Sequence, residues 1–220
     1  MRHNAIRPVG LFLLAALAAL PAVACRTIYY NTMETFGWEK RHILTDRVEE
    51  SRKAQSEAEE QFQSAYDRLK EVTRYDGGDL EKIYRRLSGE LERSEERALE
   101  VRERIASVNI VAGDLFKEWE REPKEISYSD LRRQSAARLE STEARYQSMN
   151  SAMRRAESKM DPVLQAFQDQ VLFLKHNLNA AAIASLEMTV TSIESDVEVL
   201  LGELRNSIRE ADEFLSAMKS

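Results

Sequence analysis

The feature that most constrains this chain is an unbroken apolar repeat. Leu80, Tyr84, Leu87, Leu91, Ser94, Ala98, Val101, Ile105, Val108, Ala112, Leu115 and Trp119 follow one another in steps of four and three. Steps averaging 3.5 residues place all of them on one stripe of an α-helix and predict left-handed supercoiling with its neighbours. The residues between are mostly Glu and Arg, as a solvated outer face requires. One helix cannot bury such a stripe by itself, so the rest of the chain has to supply partner helices.

Three further segments do so. A first helix is expected from Trp38 to Arg74, with Leu44, Val48, Ala58, Phe62, Ala65, Leu69 and Val72 inward and a polar patch around Gln55. Tyr75-Asp76-Gly77-Gly78 stops it, because glycine tolerates left-handed geometry, and Asp79 can cap the helix that follows. Pro123 ends the second helix, and Ser127 to Asp130 offers the next cap. The third helix carries Thr142, Tyr146, Met149, Met153, Ala156, Met160, Val163 and Phe167, then slips one step to Val171, Leu174 and Leu178. Pro162 lies inside it, where it removes one backbone hydrogen bond and kinks or breaks the helix. Asn177 and Asn179 mark a tight turn. The fourth helix runs through Ile183, Leu186, Val190, Ile193, Val197, Leu200, Leu204, Ile208, Ala211, Leu215 and Met218.

Connections of a few residues force successive helices to run antiparallel. The fold class is therefore all-α: an elongated antiparallel up-down-up-down bundle of four long helices with heptad packing. At ~1.5 Å per residue its helices reach roughly 60 Å. Helices one and three run away from the N-terminal end. The Gly77-Gly78 turn and the Lys175 to Asn179 turn then share the far tip.

The first two dozen residues are of another kind. Arg2 and Arg7 form a positive region, Val9 to Leu20 is an uncharged apolar run, and Ala22-Val23-Ala24 precedes Cys25. This is the pattern of a secretory signal peptide over residues 1–24. The apolar run is shorter than the roughly 20 residues of a membrane span. Cys25, the sole cysteine, sits at the expected cut. The arrangement resembles the lipobox of bacterial lipoproteins, with Ala22 where that family usually has Leu. Ordinary cleavage after Ala-Val-Ala is the other outcome the residues allow. The resemblance implies lipidation of Cys25, and Arg26 after it implies sorting to the outer membrane. Residues 25–38 then form an anchored segment whose Tyr29, Tyr30, Met33, Phe36 and Trp38 either sit at a membrane interface or cap the bundle, which occupies 39–220.

Chemistry is scarce. His42 and His176 fall at opposite ends of the expected bundle and cannot meet at one metal. Glu39 and His42 make one Glu-x-x-His, whereas a di-iron bundle needs two such pairs and two more carboxylates. No HExxH, GxSxG or GxxxxGK occurs. The Met149, Met153 and Met160 series reads as core filling, and Tyr66, Tyr84 and Tyr146 as core edges. A net charge of −6 speaks against a general nucleic-acid binder, which needs a basic surface. Arg85-Arg86, Arg132-Arg133 and Arg154-Arg155 are interleaved with acids and read as solvated helix faces.

Several stretches together resemble an uncharacterised bacterial family, a domain-of-unknown-function group of Gram-negative envelope proteins. They are Tyr29-Tyr30 with Met33-Glu34, KRHILTDRVEE from Lys40, DGGDLEKIY from Asp76 and DQVLFLKHNLNA from Asp169. The resemblance implies a periplasmic, lipid-anchored helical protein and supplies no activity. Members look similar to coiled-coil segments of DNA-repair ATPases, a similarity that shared heptad composition accounts for.

The leading expectation is a non-enzymatic envelope protein without cofactor, a membrane-tethered scaffold, spacer or adaptor. Its partners would be the membrane, through the lipid anchor, and an envelope protein of unknown identity, with a second copy of the chain left open. The alternative is a cytosolic coiled-coil accessory acting with nucleic acid or an ATPase, and an enzyme or metal carrier is a third. Val171-Leu172-Phe173-Leu174 places apolar groups all round helix three near the tip, although the seam needs only Val171 and Leu174. Leu172 and Phe173 are thus either wrapped by helix one and the start of helix four, or exposed as a partner-docking patch.

Overall fold

The computed structural model describes residues 40–73, 79–121, 127–177 and 180–219. They form four α-helices: α1 (Lys40–Thr73), α2 (Leu80–Trp119), α3 (Ser129–His176) and α4 (Ala180–Lys219). Among the described residues there is no strand. The division of the chain falls after Lys40, and the helical unit spans Arg41–Ser220.

Polar contacts between helices fix their directions. Glu50 and Glu57 on α1 pair with Arg104 (3.0 Å) and Arg97 (2.6 Å) on α2. Asn109 Oδ1 on α2 accepts from the Tyr146 hydroxyl of α3 at 2.6 Å, and Arg102 of α2 pairs with Asp161 of α3. Arg155 of α3 meets Glu203 of α4 at 3.2 Å, and Arg205 of α4 meets Glu59 of α1 at 2.6 Å. Ser148 of α3 also bonds Glu210 of α4 at 2.7 Å, and Asp212 of α4 pairs with Arg52 of α1 at 3.3 Å, so in each pair of helices the numbers rise on one as they fall on the other. The helices therefore run up, down, up and down around one core. Backbones approach most closely along α3–α4 and α2–α3. Ala152 and Ala156 on α3, Ala98 and Ala112 on α2, and Ala211 on α4 are fully buried, and side chains this small permit close approach.

All the apolar residues expected inward on α1 are buried, from Leu44 to Val72. On α2 the repeat is sealed from Ser94 to Leu115, but Leu80, Tyr84, Leu91 and Trp119 are only half-buried. On α3 it is sealed from Tyr146 to Phe167 and again at Leu174, with Thr142 and Val171 half-buried. On α4 the inward position after Leu204 is Ser207, fully buried, and not Ile208, which is half-buried. Phe214 joins Leu215 inside, stacking edge-on against Tyr146 at 6.4 Å between ring centres. The Leu178 and Asn179 positions lie outside the described residues. So do Trp38, Glu39 and Arg74, so α1 is described only from Lys40.

The helix ends obey local chemistry unevenly. Asp79 caps α2, its Oδ1 accepting from the Lys82 amide at 3.2 Å. The cap of α3 corrects the expectation that Ser127 to Asp130 would supply it. Tyr128 occupies the capping position without a side-chain hydrogen bond, and Asp130 pairs instead with Arg133 at 2.5 Å inside the first turn. Helix α3 continues through Pro162. Pro162 and Ser158, whose carbonyl loses its donor, are both exposed, so water can meet the orphaned group and the break is avoided.

Candidate functional site

Cys25, the expected lipidation position, lies outside the described residues. Leu172 and Phe173 lie in the last turn and a half of α3 and are 51% and 38% exposed. Their neighbour Leu174 is buried, as the heptad requires, and Val171 is half-buried. The turn after them is held locally. The Asn177 amide donates to the Leu174 carbonyl at 3.2 Å, and the Asn177 side chain donates to the Phe173 carbonyl at 3.0 Å. Leu69 and Val72 near the end of α1 are buried, while the side chains at the start of α4, the other element expected to wrap the tip, lie outside the described residues. An apolar pair is thus presented at the end of the bundle opposite Lys40.

His42 and His176 are both exposed and lie at opposite ends, on the first turn of α1 and the last residue of α3. No group of three or more His, Cys, Asp or Glu suited to a metal occurs among the described residues.

Polar groups do enter the core, at a level that patterning alone assigns only to a polar patch. Gln55 and Ser51 of α1 and Ser207 of α4 are fully buried. Gln55 Nε2 donates back to the Ser51 carbonyl (3.2 Å) and to Ser51 Oγ (3.3 Å), while Ser51 Oγ touches Met153 Sδ of α3 at 3.8 Å. Gln55 Oε1 and Ser207 Oγ have no protein partner. The Arg205–Glu59 and Arg52–Asp212 pairs bracket Gln55 and bring it level with this part of α4. A buried unpaired acceptor is costly. Here it interrupts a largely apolar interior.

The buried phenols mark the same low-polarity interior. Burial pushes Tyr146 up to about 12, and Tyr66 is raised by burial first and then by the nearby Glu194. Both shifts are what desolvation does to a group that would have to ionise. At the surface, the hydrogen bond from Arg52 holds the Glu49 carboxyl below its ordinary value.

The arrangement therefore offers a packed core with a few buried polar side chains, and exposed apolar groups at both ends, Leu172 and Phe173 at one and Tyr128 and Leu131 at the other. No curated protein matches the chain. Residues 29–218 match the family described as protein of unknown function DUF2959, and the chain belongs to that family.

Proposed function

We propose that this protein is a non-enzymatic structural or adaptor protein of the cell envelope, held at the outer membrane by lipid on Cys25 and offering the end of its bundle to a protein partner. The observation that carries the proposal is the exposure of Leu172 and Phe173 beside the buried Leu174. The seam is closed by Leu174, so Leu172 and Phe173 keep open apolar surface beside it, and adjacent exposed apolar groups commonly mark interaction sites. The leader and the small residues before Cys25 support the address. No helix among the described residues is long and apolar enough to cross a membrane, and in this reading the lipid on Cys25 supplies the attachment.

Two measurements test this reading separately. Intact mass of the protein from its native host should show Cys25 as the acylated first residue, and an unmodified Cys25 ends the lipoprotein claim. Phe173→Ser should hardly move the melting temperature and should abolish one specific crosslink in cells. A fall in melting temperature with all crosslinks retained would make Phe173 a packing residue and remove the docking role.

A further inference from the structure

Folding gathers arginines that the sequence disperses. Arg68 on α1 and Arg85, Arg86 and Arg93 on α2 line one cleft of about 470 Å³ with Gly89 and Glu90. In sequence, Arg85 and Arg86 look like a solvated face balanced by neighbouring acids, and Arg68 is seventeen residues before Arg85. The antiparallel pairing of α1 and α2 brings them to the same walls.

The charge inside this cleft is lopsided. Four guanidiniums face one carboxylate, and that carboxylate is already engaged. Glu90 Oε1 pairs with Arg93 at 2.7 Å and Oε2 accepts from Gln61 Nε2 at 2.9 Å, leaving the Glu90 side chain 12% exposed. Arg68 pairs with Glu71 and Arg85 with Glu81, acids that are not among the lining residues. Arg86 is exposed and has no carboxylate partner among the described residues. Gly89 lies in the third turn of α2, inside the helix, where glycine is unfavourable. A Cβ there would sit 3.4 Å from Arg93 Nη1, so Gly89 lies directly beneath the Arg93 guanidinium.

A second cleft supplies the contrast. It measures about 530 Å³ and is lined by Arg145, Arg209, Asp212, Glu213, Ser216 and Ala217. There two arginines face two acids, and the lining is neutral. In a chain of net charge −6, a cleft lined by four arginines and one acid, with Arg86 uncompensated by any carboxylate among the described residues, favours anions.

We propose that the cleft formed by Arg68, Arg85, Arg86, Gly89 and Arg93 binds a phosphate-class oxyanion carrying at least two negative charges, as a phosphate monoester or pyrophosphate group. Guanidinium forks match phosphate oxygens in pairs, and several of them around one group give both charge and geometry. The same chemistry is offered by a soluble phosphorylated compound and by a lipid headgroup.

The test is calorimetric titration of the full chain, in a non-ionic detergent at low salt, with two probes: inorganic pyrophosphate and dihexanoyl phosphatidic acid. Arg86→Gln is the informative variant, because losing an exposed, unpaired side chain leaves the fold intact. It should weaken whichever probe binds by at least fivefold without shifting the melting temperature of the free protein. Arg209→Gln in the neutral cleft should leave that affinity unchanged. Tighter binding of pyrophosphate assigns a soluble ligand, and tighter binding of phosphatidic acid assigns a lipid headgroup. Absence of binding by both probes, or affinity equal in the wild type and Arg86→Gln, would overturn the site.

Discussion

The middle of α2 and its first three turns carry the same repeat and meet different surroundings. From Ser94 to Leu115 every repeat position is buried, whereas Leu80, Tyr84 and Leu91 are half-open. Position along the bundle supplies a reason. The Tyr146–Asn109 and Trp119–Ser135 contacts set a register in which Leu80 is level with the last turn of α3, so Leu80 and Tyr84 lie at the end of the bundle, where fewer side chains close over them. The mirror image occurs at the other end. Trp119, at the end of α2, donates to Ser135 of α3 at 3.4 Å, and α3 holds no buried residue before Tyr146. A heptad specifies which face of a helix is apolar. Where the neighbouring helices stop decides how much of that face is sealed.

The largest effect should come from setting the two levels against each other. Val101→Asp places a charge where exposure is 0% and should cost about 3–5 kcal/mol, a large part of the stability of an ordinary domain. Leu91→Asp, on the same stripe, should cost about 1 kcal/mol because its side chain is already half in water. Urea denaturation of both variants measures the difference. Equal losses would mean that the first turns of α2 are as sealed as the middle.

A gain is expected next, at the buried Gln55 inside the sealed region. Gln55→Leu removes a buried acceptor without a partner and fills similar volume with apolar atoms, which should raise stability by about 1–2 kcal/mol. A loss of stability in thermal melts would show that Gln55 Oε1 is satisfied in solution.

Alkaline pH probes the sealed level at its Tyr146 boundary. The Tyr146 phenol rises from 10.0 to about 12 on folding, so the folded chain holds this proton more tightly. Its contribution is complete below pH 10 and is lost as the pH climbs towards 12. Discounted for screening, it amounts to about 1–2 kcal/mol. Tyr146→Phe should flatten part of the decline seen by circular dichroism between those values, with Tyr66, raised in the same direction, retaining the rest. An unchanged slope would place the Tyr146 hydroxyl in water.

The smallest effect belongs to the solvated face. Glu49 is lowered from 4.5, chiefly by its hydrogen bond from Arg52. Its stabilisation is present above pH 4.5 and disappears as acid protonates the folded carboxyl. The group is largely exposed, so Glu49→Gln should remove only a few tenths of a kcal/mol of acid sensitivity. A loss above about 1 kcal/mol would mean that this outer ion pair is shielded from solvent as the core is.

Much of this was legible in local pattern. The four helices, the inward residues of α1 and the Asp79 cap follow from step length and from one short acceptor at the right position. Other features depended on what lay opposite. Ser207 and not Ile208 faces inward because α4 shifts phase between Leu204 and Ala211, and a step of three serves there as well as a step of four. Tyr128 starts α3 without a side-chain cap because its ring carries no short acceptor that could reach the first-turn amides. Pro162 leaves α3 whole because its lost hydrogen bond falls on a wet face.

By itself the sequence determined the all-helical class, the number and direction of the helices, and the stripe each one buries. These follow from the period of apolar residues and from connections too short to cross the bundle. Tertiary structure decided where the stripes are sealed, that Gln55 is wholly enclosed, that Leu172 and Phe173 stay open, and that Arg68 joins Arg85, Arg86 and Arg93 in one cleft. Each of these is set by the relative register and stagger of helices distant in sequence, and no local repeat encodes that quantity.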